Sequence, residues 1–327
     1  IRGTAYISSK APEEALCVQS YEEVSSDKKA FAEAYRTQYL EQDPYRGKSI
    51  AQKHGNRYLV CTPPAMPLSV KEMDEVYDLG YIREYHPSYE SSGGIKAIEE
   101  VKISITSHRG CPGGCSFCSI VFNQGRIIQK RSAESILNEV RLLTKKPDFK
   151  GYITDIGGPT ANFRDAYCKV RKGKGMCRDK QCLYPSVCEN LNVDHSEYLD
   201  ILRKARCIPG VKKVFVKSGI RYDYLLEDSN PKFLDELCMH HISGQLKVAP
   251  EHASNRVLGD LGKDNISTYK RFRKRYTSTN KRIKKKQYLV PYFISGHPGE
   301  DTDDVVELVE FLMDSGFVPD QIQDFYP

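Results

Sequence analysis

The chain has 327 residues, a formal net charge of +6 at pH 7, 39% hydrophobic residues and 28% charged residues. This length allows one large core or two domains, and the composition fits a soluble globular protein. The longest nearly apolar run, residues 288–294, is far too short to span a bilayer, and the mild positive charge permits an anionic partner without requiring one.

The two ends of the chain indicate a segment of a longer protein. The chain begins at Ile1 instead of Met, and residues 321–327 stop within what reads as a strand. No secretory signal is visible, and eleven cysteines in a chain of this size indicate metal ligation in a reducing compartment. We therefore expect a cytoplasmic protein with reduced cysteines, no disulfide framework and no membrane partner.

Residues 1–95 are predicted to form an α/β extension ahead of a more regular region. Ser20 and Glu23 have the spacing of a capping box at the start of a helix. A strand is expected at residues 56–61. Residues 91–94, Ser-Ser-Gly-Gly, are the best linker, so we place the domain boundary there.

Residues 96–327 alternate between strand and helix patterns, which indicates a second domain. Helical apolar spacing follows the first strand, as in Ile136, Val140 and Leu143. Strands that alternate with helices indicate an α/β fold with a parallel sheet and right-handed crossovers. Parallel barrels carry their chemistry on loops at the carboxyl ends of the strands. The predicted strands cover residues 102–106, 152–156, 213–217, 245–249, 288–294 and 320–325.

The loop after the first of these strands carries three closely spaced cysteines. Cys111, Cys115 and Cys118 have a C-x3-C-x2-C spacing, and Gly113 and Gly114 would let the loop adopt positive φ. A 4Fe–4S cube normally takes four thiolates. Three local ligands without a nearby fourth would leave one iron free to bind another molecule. The alternatives are a small zinc site and three reduced structural thiols.

A second cysteine cluster lies in a basic, loop-like insertion at about residues 163–190. Its thiols could complete a tetrahedral zinc site, hold an auxiliary iron–sulfur cluster, or be free. The spacings match no common zinc-finger ribbon. The four cysteines are Cys168, Cys177, Cys182 and Cys188. The isolated cysteines, predicted to be small buried hydrophobic residues, are Cys17, Cys61, Cys207 and Cys238.

Polar side chains follow the third and fourth strands, at the edge where the cysteine loop also lies. After the third strand, hydroxyl and guanidinium groups would suit a carboxylate or a ribose, unless they form an ordinary surface turn. After the fourth strand, Glu251 and His252 could bind a ribose or move protons on a substrate, or form an ordinary ion pair. The candidates at these two strand ends are Lys217, Ser218, Arg221, Lys247, Glu251 and His252.

Two basic clusters, residues 270–275 and 281–286, could follow a phosphate backbone. Such runs are more often the solvated face of an outer helix. A nucleic-acid partner is therefore not favoured.

The cysteine loop resembles the signature of the radical S-adenosylmethionine superfamily, which has an aromatic residue at the position of Phe117. The resemblance implies a partial (βα)6 TIM-like barrel, in agreement with the six predicted strands. It also implies a 4Fe–4S cluster whose free iron chelates the amino and carboxylate groups of S-adenosylmethionine. Gly157, Gly158, Pro159 and Thr160 occupy the place of the glycine-rich segment that binds the methionyl amino group, although Pro159 and Thr160 replace its usual acidic continuation.

Longer strings narrow the resemblance to the YgiQ-type proteins of this superfamily. Among them are residues 107–111, Ser-His-Arg-Gly-Cys, residues 155–162, Asp-Ile-Gly-Gly-Pro-Thr-Ala-Asn, and residues 246–252, Leu-Lys-Val-Ala-Pro-Glu-His. Residues 294–300 resemble the superfamily segment G-x-I-x-G-x-x-E, in which apolar and glycine residues pack against adenine. The candidates in that segment are Gly296, His297 and Pro298.

This family resemblance implies a radical enzyme. The reduced cluster would cleave S-adenosylmethionine, and the resulting 5′-deoxyadenosyl radical would abstract hydrogen from a substrate that the resemblance does not identify. A small one-electron donor such as flavodoxin or ferredoxin is implied, and cobalamin would enter only through a missing N-terminal domain. Two alternatives stay open: a tRNA-modifying methyl- or methylthiotransferase, and a non-catalytic iron–sulfur protein acting in redox or RNA binding.

Overall fold

The structure is a computed structural model of the chain, and it describes residues 1–319 and 321–322. Its strands are β1 Ala5–Ser8, β2 Leu16–Val18, β3 Ile50–His54, β4 Arg57–Cys61, β5 Ser104–Thr106, β6 His108–Arg109, β7 Gln129–Lys130, β8 Tyr152–Ile153, β9 Asp155–Gly157, β10 Lys213–Val214, β11 Gln245–Glu251 and β12 Tyr288–Phe293. Its helices are α1 Tyr21–Ser26, α2 Lys28–Leu40, α3 Val70–Tyr77, α4 Ile98–Val101, α5 Ile120–Gln124, α6 Ala133–Thr144, α7 Ser196–Arg206, α8 Tyr222–Leu226, α9 Lys232–Glu236, α10 Asn255–Leu261, α11 Ile266–Arg282 and α12 Thr302–Ser315. Within these described ranges, no helix is both long and apolar enough to cross a membrane.

The N-terminal region folds around a four-stranded sheet with the order β1-β4-β3-β2. β4 is antiparallel to β1 and β3, whereas β2 runs parallel to β3. The predicted capping box is confirmed, because the side chains of Ser20 and Glu23 each accept a hydrogen bond from the backbone N–H of the other residue. α2 then places Tyr35 and Tyr39 against Phe122 of α5.

Apart from the short antiparallel pair β6-β7, the strands of the second region lie side by side in chain order and run parallel. β5 pairs with β9, β8 pairs with β10, and β11 pairs with β12. A parallel bridge between Ile220 and Val248 joins the third and fourth strand positions. The predicted α/β fold with a partial barrel is confirmed, and the described strands do not close into a ring. Of the predicted sixth strand, residues 320 and 323–325 lie outside the described residues.

The core lies between this sheet and the helices outside it. Alternate strand residues such as Ile105, Ile153, Val214, Leu246 and Val248 are buried with apolar residues of α6, α7 and α11. These helices therefore cover the outer face of the open barrel. Because side chains alternate along a strand, the intervening residues point to the inner face.

α11 carries the first predicted basic cluster on its outer side. Tyr269, Phe272 and Tyr276 of this helix are buried, whereas Lys270 and Lys274 between them are exposed. This arrangement supports the interpretation of the cluster as the solvated face of an outer helix.

Three of the isolated cysteines are exposed. The prediction that they are buried is wrong for Cys17, Cys61 and Cys207, and right for Cys238. Cys17 and Cys61 lie on strands of the small N-terminal sheet, and Cys207 follows the last residue of α7. The sequence gives no sign of which side of these elements is covered.

Arg131 is fully buried and joins the N-terminal region to the barrel. Its guanidinium donates to the Thr106 carbonyl at 2.9 Å and to the Ser135 hydroxyl at 2.8 Å, and it pairs with Glu139. The guanidinium carbon lies 4.3 Å from the centre of the Tyr77 ring of α3. Burial lowers the pKa of Arg131 to about 10, so the group remains charged at neutral pH.

We expect Arg131→Met to lower the free energy of unfolding by about 3 kcal/mol, because it removes the buried donors of the Thr106 carbonyl and the Ser135 hydroxyl as well as one of the two cations of Glu139, which keeps its pair with Arg83. The matched control is Arg141→Met on α6, which breaks an exposed ion pair with Glu134 and should cost about 0–1 kcal/mol. Urea unfolding measures both losses. Equal losses in the two variants would contradict this account of Arg131.

Candidate cofactor site

The cysteine loop is held at both ends by hydrogen bonds. β6, just before the loop, pairs antiparallel with β7, and the Cys111 N–H donates to the Gly125 carbonyl at 3.0 Å. At the other end, Ser116 donates its N–H to the Leu261 carbonyl at 3.1 Å and its hydroxyl to the Asp260 carbonyl at 2.7 Å. The loop is therefore fixed between a hairpin and the end of α10.

Two glycines shape this loop for different reasons. Gly114 has a φ of +67°, as predicted. The prediction of positive φ is wrong for Gly113, which is required for space instead. A Cβ on Gly113 would lie 3.3 Å from the Sγ of Cys111 and 3.2 Å from the Nη1 of Arg221. The missing side chain leaves room between the loop sulfurs and a guanidinium.

The three loop cysteines fit a cluster in donor chemistry. All three are free thiols, burial raises the pKa of Cys111 to about 12, and burial also raises the pKa of Cys118. Metal ligation requires thiolates, so the thiols of Cys111 and Cys118 need a strongly cationic group to lose their protons. Among the described residues, no three His, Cys, Asp or Glu side chains gather around a single-ion site. In a 4Fe–4S cube the thiolates ligate separate irons and do not share one ion.

Arg221 places a buried guanidinium beside this loop. Its Nη1 lies 3.4 Å from the Sγ of Cys115, its Nε donates to Asp223 at 2.9 Å, and its Nη2 also pairs with Asp223. Burial alone would raise the pKa of Asp223, but the charge of Arg221 outweighs burial and the pKa is lowered. Arg221 was predicted to bind a carboxylate, but most of its N–H donors point to Asp223 and Cys115 of the protein itself.

Asp155 joins the carboxyl ends of the second and third strands. Its carboxylate accepts a hydrogen bond from the hydroxyl of Ser218. A Cβ on Gly157 would lie 1.8 Å from the Ser218 Oγ, and a Cβ on Gly158 would lie 2.6 Å from the His108 ring. Both glycines are required by the close approach of neighbouring side chains, whatever else binds to their backbone.

The other predicted cofactor-binding residues are spread around this edge. Pro159 and Thr160 are half-buried and precede the short 3-10 turn Ala161–Phe163. Phe117 is half-buried and packs against the barrel core. Lys247 is exposed on the inner face of the barrel. The structure therefore brings Arg221 and Gly113 together with the cysteines, but not every candidate.

Glu251 has a strained backbone at the end of β11. Its φ is +74°, a conformation that costs a residue other than glycine roughly 1–3 kcal/mol and that is frequent at functional sites. The side chain lies 3.3 Å from the Nζ of buried Lys263, and its carbonyl accepts from the Ile294 N–H at 2.6 Å. The charges of Glu251 and Lys263 both act on the Cys118 thiol, which places this pair near the cysteine loop.

His252 and Glu300 hold the segment after β12. The Nε2 of buried His252 lies 3.6 Å from the Oε1 of Glu300, and burial lowers the pKa of His252. Glu300 also accepts from the Gly296 N–H at 2.6 Å and the His297 N–H at 2.8 Å. The predicted adenine-binding segment is therefore a turn closed by its own glutamate, with Pro298 exposed.

Four charged residues complete these contacts without having been singled out from the sequence: Asp155, Asp223, Lys263 and Glu300. Asp223 follows Arg221 by two residues, and that close spacing was a usable signal. Lys263 had no such signal, because it meets Glu251 only after α10 has folded back.

The four-cysteine insertion packs beside the cysteine loop. The Cys188 N–H donates to the Cys182 carbonyl at 2.9 Å, and Cys168 forms a bridge with Leu191. Arg126 donates to the Cys177 carbonyl at 3.1 Å and lies 4.0 Å from the Cys182 Sγ. Burial raises the pKa of Cys182, and the other three cysteines of the insertion act in the same direction.

The N-terminal region secures this insertion from the other side. The Met176 N–H donates to the Asp43 carboxylate at 2.6 Å, and Arg178 pairs with Glu41 at 2.9 Å. The residues after α2 therefore hold the segment that carries Cys177.

We expect Arg221→Met to destabilise the protein by about 3 kcal/mol, because it leaves the buried Asp223 carboxylate without its cation. The double variant Arg221→Met/Asp223→Asn should recover part of this loss, since it removes the uncompensated charge. The loss of stability should depend on pH. Without Arg221, burial should raise the pKa of Asp223, so that its carboxylate is protonated more readily at low pH. The single variant should therefore be less destabilised at pH 5 than at pH 8. Urea unfolding at both pH values provides the measurement, and a loss independent of pH and of residue 223 would contradict the pairing.

Comparison with known proteins identifies two matching domain families. The family described as Radical SAM N-terminal matches residues 1–104, and the Radical SAM superfamily matches residues 105–312. UPF0313 proteins are 56% identical over 329 residues in Clostridium botulinum (strain ATCC 19397) and 52% identical over 330 residues in Clostridium perfringens (strain ATCC 13124). The matches cover 100% of this chain but 51% and 50% of those proteins, so the chain spans about half the length of the curated relatives it matches.

Two solved structures show weaker similarity. The radical S-adenosylmethionine methyltransferase TsrM of Kitasatospora setae, with cobalamin and a 4Fe–4S cluster bound, is 15% identical with a TM-score of 0.41, over 65% of this chain and 34% of TsrM. Methylornithine synthase (PylB) is 10% identical with a TM-score of 0.38, over 77% of this chain and 63% of PylB.

The UPF0313 relatives agree with the YgiQ-type resemblance, and the match over residues 105–312 confirms the predicted family. This chain belongs to the radical S-adenosylmethionine superfamily, a class of enzymes that use a 4Fe–4S cluster and S-adenosylmethionine.

Proposed function

We propose that this chain is the core of an enzyme that generates a 5′-deoxyadenosyl radical and uses it to abstract hydrogen from a substrate. The observation that carries the proposal is the cysteine loop at the carboxyl end of β5, with the Arg221 guanidinium 3.4 Å from the Cys115 sulfur. When bound, a 4Fe–4S cluster would supply the electron that cleaves the C–S bond of S-adenosylmethionine. A small donor such as flavodoxin or ferredoxin would replace that electron.

In this proposal, Cys111, Cys115 and Cys118 hold the cluster. Arg221 offsets negative charge at the cluster, because its Nη1 faces the Cys115 sulfur while Asp223 occupies Nε and Nη2. This role differs from the predicted clamp on the methionyl carboxylate. Asp155 and Ser218 fix the neighbouring loop, so that the backbone around residues 157–160 is held in place for the cofactor.

Glu251 and Lys263 form the opposite wall of the proposed cofactor site. Their buried ion pair keeps Glu251 in a strained conformation beside Cys118. Glu251 and His252 remain the candidates for proton transfer, although His252 is directed at Glu300. Phe117 and the turn at Gly296, His297 and Pro298 remain the proposed apolar contacts of the adenosyl group.

The test is reductive cleavage of S-adenosylmethionine by anaerobically reconstituted full-length protein. Wild-type protein should release 5′-deoxyadenosine without added substrate after reduction with dithionite. Cys115→Ala should lose this product and the part of the broad visible absorbance that comes from the loop cluster, because one iron loses its thiolate. Cys207→Ala, which removes an exposed and isolated thiol, should retain both. Cleavage by Cys115→Ala at the wild-type rate would contradict the proposed site.

We also propose that Cys168, Cys177, Cys182 and Cys188 hold a second metal centre. Of the two predicted centres, an auxiliary iron–sulfur cluster fits better than zinc, because no three of these side chains gather around a single-ion site among the described residues. Support comes from Cys182 and Cys188, which pack in one small apolar core, and from the effect of the other three cysteines on the Cys182 thiol. A variant with all four replaced by Ser should lose one centre by elemental analysis, while the first cluster can still be loaded. A Ser variant of Cys17, Cys61 and Cys207 is the control. Unchanged zinc and iron in the fourfold variant would show that the four are plain thiols.

A further inference from the structure

The inner face of the open barrel is lined by cations and aromatic rings. Val214, Val216, Leu246 and Val248 point into the core, so the residues that alternate with them face inward. The strand register agrees, because residues at paired positions of neighbouring strands lie on the same face. Lys213 is paired with Tyr152, and Gln245 is paired with Tyr288. We define the inner face by Tyr152, Lys213, Phe215, Lys217, Gln245, Lys247, Tyr288 and Tyr292.

The three lysines of the inner face have no carboxylate partner. Within residues 1–319 and 321–322, no Asp or Glu oxygen lies within 4.0 Å of the amino groups of Lys213, Lys217 or Lys247, and all three side chains are exposed. The nearby carboxylate of Asp155 is occupied, because it accepts from the Lys217 N–H at 2.7 Å and from the Ser218 hydroxyl. The inner face therefore carries positive charge that no carboxylate of the described residues pairs with, and such a charge attracts anions.

The aromatic rings of the inner face provide flat apolar surface beside these charges. Tyr152, Tyr288 and Tyr292 are exposed by 45%, 56% and 44%, and the rings of Tyr152 and Phe215 stack with centres 6.4 Å apart. The Lys247 amino group lies 5.9 Å from the centre of the Tyr292 ring. A cation next to an exposed ring suits a planar ligand that carries a negative group.

The inner face reaches the cofactor site through one loop. Lys217 ends the third predicted strand and is followed by Ser218, which contacts Asp155, and by Arg221, which contacts Cys115. Lys247 lies next to this loop, because a Cβ on Gly219 would be 3.6 Å from the Lys247 carbonyl oxygen. A ligand held by Lys217 and Lys247 would therefore lie on the side of the barrel where the cysteines are.

We propose that the substrate is a small organic anion, a phosphate or carboxylate attached to a planar ring, and that Lys217 and Lys247, at the cysteine end of the inner face, bind its negative group. This inference rests on the proposed function and assigns Lys217 and Lys247 to the substrate instead of the cofactor. Tyr288 and Tyr292 then provide the surface on which the ring of the substrate packs.

The test measures the binding of phenyl phosphate, benzoate and uncharged benzyl alcohol to cluster-loaded full-length protein by ligand-observed NMR. Both anions, or one of them, should bind more tightly than benzyl alcohol, and the stronger of the two identifies phosphate or carboxylate as the preferred group. Lys217→Ala/Lys247→Ala should weaken anion binding by about tenfold or more. The control Lys28→Ala/Lys29→Ala removes the same charge from exposed residues of the N-terminal region and should bind as wild type.

S-adenosylmethionine binding separates this inference from the proposed function. The lysine variant should bind S-adenosylmethionine and release 5′-deoxyadenosine as wild type does, and loss of either would assign these lysines to the cofactor. Equal binding of benzyl alcohol and the anions, or unchanged anion binding in the lysine variant, would overturn the inference while leaving radical generation intact. If the double variant unfolds at lower urea than wild type, Lys247→Gln alone should still weaken anion binding severalfold, and no weakening would overturn the inference.

Discussion

Convergence of three sulfurs on a short loop is the constraint on which the rest of this structure depends. Thiols separated by three and two residues can face one centre only if the backbone between them turns sharply and no side chain fills the space. Gly114 supplies the turn and Gly113 supplies the space. The pairing of β6 with β7 and the contacts of Ser116 with the end of α10 then fix the loop from both sides.

Charge in the barrel follows two opposite patterns. Around the cysteine loop, buried charges are paired: Arg221 with Asp223, Lys263 with Glu251, and Arg131 with Glu139. Such pairs compensate one another and hold their loops in one arrangement. On the inner face the lysines are exposed and lack carboxylate partners among the described residues. Paired buried charges suit a site that holds a charged cluster rigidly. Exposed lysines without a carboxylate partner suit a site that binds an anion.

The sequence predicted the strands, the capping box and the cysteine loop because these depend on local patterns. Apolar alternation identified five strands within a few residues of their observed bounds, although the second is interrupted at Thr154. The loop spacing alone identified the iron–sulfur candidates. The sequence alone does not show which side chains pair in the fold when they lie far apart along the chain. Arg221 was expected to face the cofactor, but its nearest partners are Asp223 and Cys115, and the role of Lys263 depends on how α10 folds back.

The most direct test of the central claim is electron paramagnetic resonance of the reduced, cluster-loaded full-length protein with the four cysteines of the insertion replaced by Ser. The account predicts one 4Fe–4S signal that changes when S-adenosylmethionine is added and broadens when the methionyl carboxylate carries oxygen-17. Such broadening requires an iron that is not ligated by the protein and is open to the cofactor. A signal unaffected by S-adenosylmethionine would mean that Cys111, Cys115 and Cys118 do not form a radical-generating site, and would contradict the account.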